Sequence, residues 1–283
     1  MTRGHCLCGA IQFGISAPLP APSLCHCGQC RRLNGAPGAY TSAPASSYRI
    51  TGEENLKWYR SSADAERGFC GKCGSKLFWR EVGGKDLDVS MGSLDAPTGL
   101  MLAAHIWTPF QGDYYDIGQD DVPHYERSSR GNQPIPNEKL LSGGPQPAVH
   151  DGGCECGAVK YRVKGRMRDV LVCHCGQCRR FHGHPPGYSA ARRAEMEIEG
   201  KGNIAWYASS ADAKRGYCRH CGSTLFWAPN GSDAVSVSAG SLKPPTGLKT
   251  VRHIFVDDKS DYYRIADDVP QFPGTAKLDP VAF

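Results

Sequence analysis

The sequence predicts an all-β protein of two tandem domains, each made of short antiparallel strands with little helix. Three observations carry that expectation. The stretch Cys25-His26-Cys27-Gly28-Gln29-Cys30-Arg31-Arg32 recurs letter for letter as Cys173-His174-Cys175-Gly176-Gln177-Cys178-Arg179-Arg180, 148 positions later (173 − 25). The 283 residues include 34 Gly and 20 Pro, which favours turns over long helices. Between turn signals, apolar residues run in short segments of period two, the pattern of half-buried strands.

The duplication is complete in its cysteines, seven and seven at the same offset. Cys6, Cys8, Cys25, Cys27, Cys30, Cys70 and Cys73 correspond to Cys154, Cys156, Cys173, Cys175, Cys178, Cys218 and Cys221. Trp58 with Trp206, Trp79 with Trp227, His105 with His253 and Asp113 with Asp261 keep it too. So long a match means whole domains, not a solenoid repeat of roughly 20–50 residues. Between Ser128 and His150 the composition turns to Gly, Pro, Asn, Ser and Gln. The expected division is therefore a first domain at 1–130, a Pro/Gly-rich linker at 131–148 and a second domain at 149–283.

In chain order, strands are expected at 10–15, 38–41, 48–52 and 56–60, then on both sides of a Cys70-Gly71-Lys72-Cys73-Gly74 knuckle within 68–79, and at 87–90 and 105–108. The second copy repeats the first of these at 158–163 with a cleaner alternation. A short helical turn is expected at 30–33, stopped by Gly35. In the knuckle, glycine accepts a left-handed turn while both thiols face one point.

Composition excludes several classes. Hydrophobic residues at 40% and charged residues at 22% describe a soluble globular chain. A net charge of +5 and a pI near 8.5 are mildly basic. The basic runs are pairs such as Arg31-Arg32 and Arg192-Arg193, so no nucleic-acid partner is expected. No apolar run approaches the roughly 18 residues of a membrane span. The N-terminus enters a cysteine motif at once, which leaves no room for a secretory signal and points to the cytoplasm, where thiols stay reduced.

An odd number of cysteines per domain argues against a closed disulfide set and for metal. Thiolates suit zinc, and seven divides as four plus three. The Cys70 and Cys73 knuckle needs two more thiols, and the pair Cys6 and Cys8 can supply them. Cys154, Cys156, Cys218 and Cys221 form the equivalent set. Cys25, Cys27 and Cys30, and likewise Cys173, Cys175 and Cys178, would then hold a three-thiolate zinc whose fourth position takes an exogenous thiol. The competing reading is a second structural zinc closed by His26, His105 or a water. Either way the expectation is two zinc ions per domain, four per chain. Arg31, Arg32, Arg179 and Arg180 read either as surface pairs or as cations that draw the carboxylates of a thiol substrate.

The succession C-x-C, C-x-C-x-x-C-R, C-x-x-C-G-S-x-L-F-W and a closing His253-Ile254-Phe255-Val256 segment resembles the glutathione-dependent formaldehyde-activating enzyme family, whose domain is shared with centromere protein V. The first half departs from it at Thr108-Pro109-Phe110-Gln111. The resemblance implies a β-tent, facing antiparallel sheets that meet at the zinc. It places a structural zinc on Cys6, Cys8, Cys70 and Cys73 and a catalytic zinc on Cys25, Cys27 and Cys30. It also implies a carbon–sulfur lyase that joins a small thiol such as glutathione to formaldehyde, reversibly. The alternatives are a non-enzymatic zinc module that binds a protein partner, and a redox sensor or zinc donor. Oligomeric state is not legible. The differences Leu33-Asn34-Gly35-Ala36 against Phe181-His182-Gly183-His184 predict two pockets of different selectivity.

Overall fold

Each half of the chain lays down the same two sheets in the same order. The computed structural model describes residues 1–118, 120–136 and 143–275. Residues 137–142 of the expected linker and 276–283 of the expected second domain lie outside the described residues. Thr2–His5, Gln12–Ile15 and Tyr48–Thr51 form a small antiparallel sheet in the first half. Val149–Gly153, Lys160–Lys164 and Met196–Glu199 repeat it in the second. A larger sheet, of eight strands in the first half and seven in the second, carries Cys25 and Cys70, and Cys173 and Cys218, at strand ends. The all-β expectation holds: among the described residues the α-helices are the seven-residue α1 (Gly28–Asn34) and α2 (Gly176–His182).

Local pattern explains most of these elements. In Lys160–Lys164, Tyr161 and Val163 are buried while Lys160, Arg162 and Lys164 face solvent, as period two requires. Leu56–Arg60 falls where the pattern put it. Helix α1 begins two residues before the expected turn because the Cys27 thiol caps it, accepting from the Cys30 N–H at 3.4 Å. It ends where expected, at Gly35 in the left-handed region (φ 69°), whose N–H returns to the Arg31 carbonyl at 2.7 Å.

The expected antiparallel arrangement needs one correction. Ser23–Cys25 pairs in parallel with Ala104–Ile106, and Arg168–Cys173 with Thr250–Ile254. Ser23–Cys25 and Thr2–His5 are also strands that the sequence did not announce. Three or four residues are too few to display a period, and only the partner strand identifies them.

The two halves interlock. Helix α1 rests on the turn Ala239–Ser241 of the second half, and α2 on Met91–Ser93 of the first. The approach is so close that a Cβ on Gly92 would sit 2.3 Å from the Arg179 carbonyl oxygen, and one on Gly240 2.5 Å from that of Arg31. Arg179 is buried and donates to the carbonyls of Gly92 and Leu94, both at 3.2 Å. Arg180 binds Asp95 at 2.8 Å, and Arg32 binds Glu155 at 2.6 Å. Arg31, also buried, donates to the Phe110 carbonyl at 3.2 Å. These four arginines are thus neither a free surface pair nor a display for substrate carboxylates. Three of them clamp the seam.

Two short segments cross that seam. Asp113 accepts from the Thr246 backbone N–H and hydroxyl, and Asp261 accepts from the Thr98 hydroxyl at 3.0 Å and the Gly99 N–H at 2.7 Å. The next residue in each segment enters the other half's core. Tyr114 packs with Val159, Val163 and Val170, and Tyr262 with Leu24, Leu77 and Leu94. Each core is therefore completed by a tyrosine from the other repeat.

Truncating Tyr262 to Ala removes a fully buried ring, and the expected loss is ~3–5 kcal/mol by denaturant titration. Residues 1–136 produced alone should not give a stable monomer, because that core then lacks its crossing tyrosine. A cooperative monomeric fold by sedimentation and circular dichroism would contradict this account.

Candidate metal centres and the histidine relays

Four sulfurs converge in each half. In the first, Cys6 and Cys8 sit on the turn after Thr2–His5, and Cys70 and Cys73 on the hairpin between Ala65–Cys70 and Lys76–Glu81. Gly74 takes φ 81°, and its N–H closes the knuckle on the Cys70 carbonyl at 2.8 Å. Cys6 Sγ lies 3.5 Å from Cys8 Sγ, and Cys8 Sγ 3.8 Å from Cys70 Sγ. Donors point at the set: the Ile11 N–H meets Cys6 Sγ at 3.3 Å, and the Ser75 hydroxyl lies 3.2 Å from Cys73 Sγ. In the second half, Cys154 to Cys156 is 3.6 Å, Cys156 to Cys218 is 3.7 Å, and Ser223 lies 3.2 Å from Cys221. Each set keeps its ligand atoms within 4.8 Å of one another. N–H groups aimed at sulfur, from Ile11 to Cys6 and from Val159 to Cys154, favour thiolates, and four convergent thiolates fit a soft divalent ion in a closed tetrahedral site.

The trios are different. Cys25 ends the strand Ser23–Cys25, Cys27 caps α1, and Cys30 lies in its first turn. Their sulfurs lie within 4.8 Å of one another, as do those of Cys173, Cys175 and Cys178. Among the described residues no Cys, His, Asp or Glu supplies a fourth ligand atom within that distance. The neighbouring sulfurs, then burial, push the Cys25 and Cys173 thiols up. A bound divalent ion would have to displace those protons, so occupancy of the trios falls as pH falls. A guanidinium stands beside each trio, with Arg67 Nη2 3.5 Å from Cys30 Sγ and Arg215 Nη2 3.5 Å from Cys178 Sγ. Burial opposes the charge on Arg67 and Arg215, but the nearby thiols more than restore it and hold both firmly protonated.

The histidine between the ligands turns away from the sulfurs, as its position in the motif predicts. His26 is buried, with Nδ1 2.7 Å from the Tyr115 hydroxyl and Nε2 3.0 Å from His105 Nδ1. His105 Nε2 then meets Asp120 Oδ2 at 2.8 Å. The second half builds the same chain: Tyr263 to His174 at 2.6 Å, His174 to His253 at 2.9 Å, and His253 to Asp267 at 2.9 Å. Burial, reinforced by the neighbouring imidazoles, keeps His26 and His174 well below the usual histidine range, His174 at about 3. Both are neutral at pH 7 and pass hydrogen-bond direction by tautomer rather than by charge. Burial raises the Tyr115 and Tyr263 hydroxyls, and the thiol of Cys25 or Cys173 adds to it. Both relays, tyrosine and aspartate ends alike, line one cavity between the halves, together with His184.

Every cysteine singled out in the sequence falls into one of these sets. Sequence reading missed Arg67 and Arg215, Tyr115 and Tyr263, and Asp120 and Asp267. The first four keep the offset of 148 and were detectable as polar residues surviving duplication. The aspartates shift by one position, which hid them. His105 and His253 are hydrogen-bonded strand histidines, as expected. The unlike residues after the trios face the seam: His182 bonds the Asn34 carbonyl and the Tyr188 hydroxyl, and His184 the Tyr262 hydroxyl at 2.9 Å. Trp206 and Trp58 stack on Phe226 and Phe78, and Trp227 packs beside Cys173 and Cys178.

If the four-cysteine sets are metal-filled, a strong chelator at neutral pH should lower the thermal midpoint by ~10 °C or more, since each ion joins distant parts of its half. A midpoint unchanged after demonstrated metal loss would remove these clusters from the stability account.

The profile of a family described as "Glutathione-dependent formaldehyde-activating enzyme" matches residues 1–109 and 149–258. An uncharacterized lyase of Schizosaccharomyces pombe is 28% identical over 125 residues, 44% of this chain and 90% of that protein. A putative glutathione-dependent formaldehyde-activating enzyme of Halomonas elongata is 33% identical over 87 residues, 28% of this chain and 55% of that protein. A crystal structure of a Rhodobacter sphaeroides protein aligns at 23% identity and a TM-score of 0.29, covering 36% of this chain and 99% of that one.

Proposed function

This chain belongs to the glutathione-dependent formaldehyde-activating enzyme family, and on that premise we propose that it is a cytoplasmic zinc-dependent carbon–sulfur lyase that makes and breaks thiol adducts of a small aldehyde. Its thiol is of the glutathione type and its aldehyde is formaldehyde or a close relative. The repeat units are 1–130 and 149–283, joined by 131–148. The carrying observation is the contrast between closed sets of four cysteines and trios with no fourth protein ligand among the described residues.

In this reading Cys6, Cys8, Cys70 and Cys73, with Cys154, Cys156, Cys218 and Cys221, hold two structural zinc ions. Cys25, Cys27 and Cys30, with Cys173, Cys175 and Cys178, hold two more and form the reaction sites. When bound there, zinc supplies a Lewis-acidic position that keeps a substrate thiol ionised. Arg67 or Arg215 offsets part of the thiolate charge beside it. In the forward direction the substrate sulfur forms a bond to the carbonyl carbon, and the C=O π pair moves to oxygen. The thiol proton that was lost is matched by one delivered to that oxygen. Tyr115 or Tyr263 is the donor, its oxygen anchored on His26 or His174 in the shared cavity. Cleavage runs the same steps backwards, with the tyrosine oxygen receiving the proton.

Purified protein given glutathione and formaldehyde should accelerate exchange of the hydroxymethyl adduct, followed by exchange NMR. A rate equal to the uncatalysed one would dismiss the formaldehyde reaction. The double variant Tyr115→Phe/Tyr263→Phe should lose ~10²-fold in kcat with KM little changed. Cys27→Ser/Cys175→Ser should lose activity together with two metal ions per chain. Full activity in that variant would favour a non-enzymatic role for the trios.

A further inference from the structure

We propose that the first half carries an additional divalent-cation site built from His105, Asp120 and His124, for a borderline-soft first-row ion such as Zn²⁺. This site contains no cysteine, and among the described residues the second half holds no equivalent.

The three residues are brought together by strand pairing. His105 lies on Ala104–Ile106 and His124 on His124–Tyr125, and the parallel register sets the two directly opposite each other. Their rings stand 4.9 Å apart. Asp120, in the loop before the second strand, is held in place by the Val122 N–H on Oδ1 at 3.1 Å, which leaves Oδ2 toward His105 Nε2. One ligand atom from each residue falls within 4.8 Å of the others. His124 is 4% exposed, yet its Nε2 has no hydrogen-bond partner. A buried ring nitrogen without a partner is costly, and a cation beside a carboxylate and a second imidazole would satisfy it. Two nitrogens and one oxygen are the donor set of open zinc and non-haem iron sites.

The duplication supplies an internal control. In the second half His253 and Asp267 repeat His105 and Asp120, but the residue paired with His253 is Gln271. An amide is a far poorer ligand for such an ion than an imidazole.

Filling the site would also set the direction of the relay, a consequence that rests on the proposed reaction. With the site empty, His105 Nε2–H donates to Asp120, so His26 Nε2–H donates to His105 and the Tyr115 hydroxyl donates to His26. An ion on His105 Nε2 moves the His105 proton to Nδ1. His105 then donates to His26 Nε2, and His26 Nδ1–H donates to the Tyr115 oxygen. Each ring keeps one proton, and the Tyr115 proton is freed for the reacting oxygen. The second half has no such switch.

The test is metal stoichiometry and spectroscopy on the full-length protein with its cysteine clusters already zinc-loaded. Adding Co²⁺ should give one further equivalent, with visible ligand-field bands but no thiolate-to-cobalt charge-transfer band. His124→Gln, which copies the second half, should lose that equivalent while keeping its circular dichroism spectrum and its cysteine-bound metal. Equal cobalt uptake by wild type and His124→Gln would overturn the proposal. Should the variant fail to fold, the wild-type titration still decides: no nitrogen/oxygen-ligated cobalt spectrum means no site. Imidazole ¹⁵N NMR during Zn²⁺ addition should move the His105 proton from Nε2 to Nδ1 and leave His253 unchanged. An unchanged His105 tautomer would equally overturn it. Activity plays no part in these readouts, so they stand or fall apart from the lyase reading.

Discussion

The crossing of Asp113-Tyr114-Tyr115 and Asp261-Tyr262-Tyr263 is the constraint on which the rest depends. Three consecutive side chains do three different things. The aspartate fixes a turn of the other half, the first tyrosine fills the other half's core, and the second returns to the histidine of its own half. The hydroxyl of each relay is therefore positioned by packing across the seam. Seam and site are one structure, which gives a physical reason for both repeats to persist in one chain. Neither core is complete by itself, and neither relay has its tyrosine anchored without the other core.

The CHC motif serves two chemistries because the backbone there is extended. Alternate side chains of an extended segment point to opposite faces. Cys25 and Cys27 turn to one side and contribute to the trio, and His26 turns to the other and enters the relay. Soft sulfur ligands and a neutral imidazole chain are thereby set side by side without competing for the same ion. The closed sets of four fix each half's geometry, and the trios stand where helix and strand meet.

The halves have diverged where they touch rather than at their sulfurs. Phe181, His182 and His184 replace Leu33, Asn34 and Ala36, and their imidazoles bond across the seam or into the shared cavity. The departure at Thr108-Pro109-Phe110-Gln111 changes side chains but not backbone. Trp107 and Phe255 both take positive φ, 59° and 57°, ahead of matching turns. His124 against Gln271, and the buried Lys76 against Thr224, are further contrasts that change chemistry.

Much was determined by sequence alone. Spacing and the count of seven assigned all fourteen cysteines to sets of four and three, because metal ligation demands specific residue types at short, recurring separations. Period two placed strands such as Leu56–Arg60 and Lys160–Lys164, because one buried face imposes alternation. The tertiary structure decided everything that depends on distant residues meeting. It made clamps of arginines that read as surface charges, paired Ser23–Cys25 in parallel with a strand some eighty residues later, and exchanged tyrosines between the cores. It also set Asp120 and His124 against His105. None of these contacts leaves a local period or spacing, since each is fixed by packing between segments that the chain brings together only when folded.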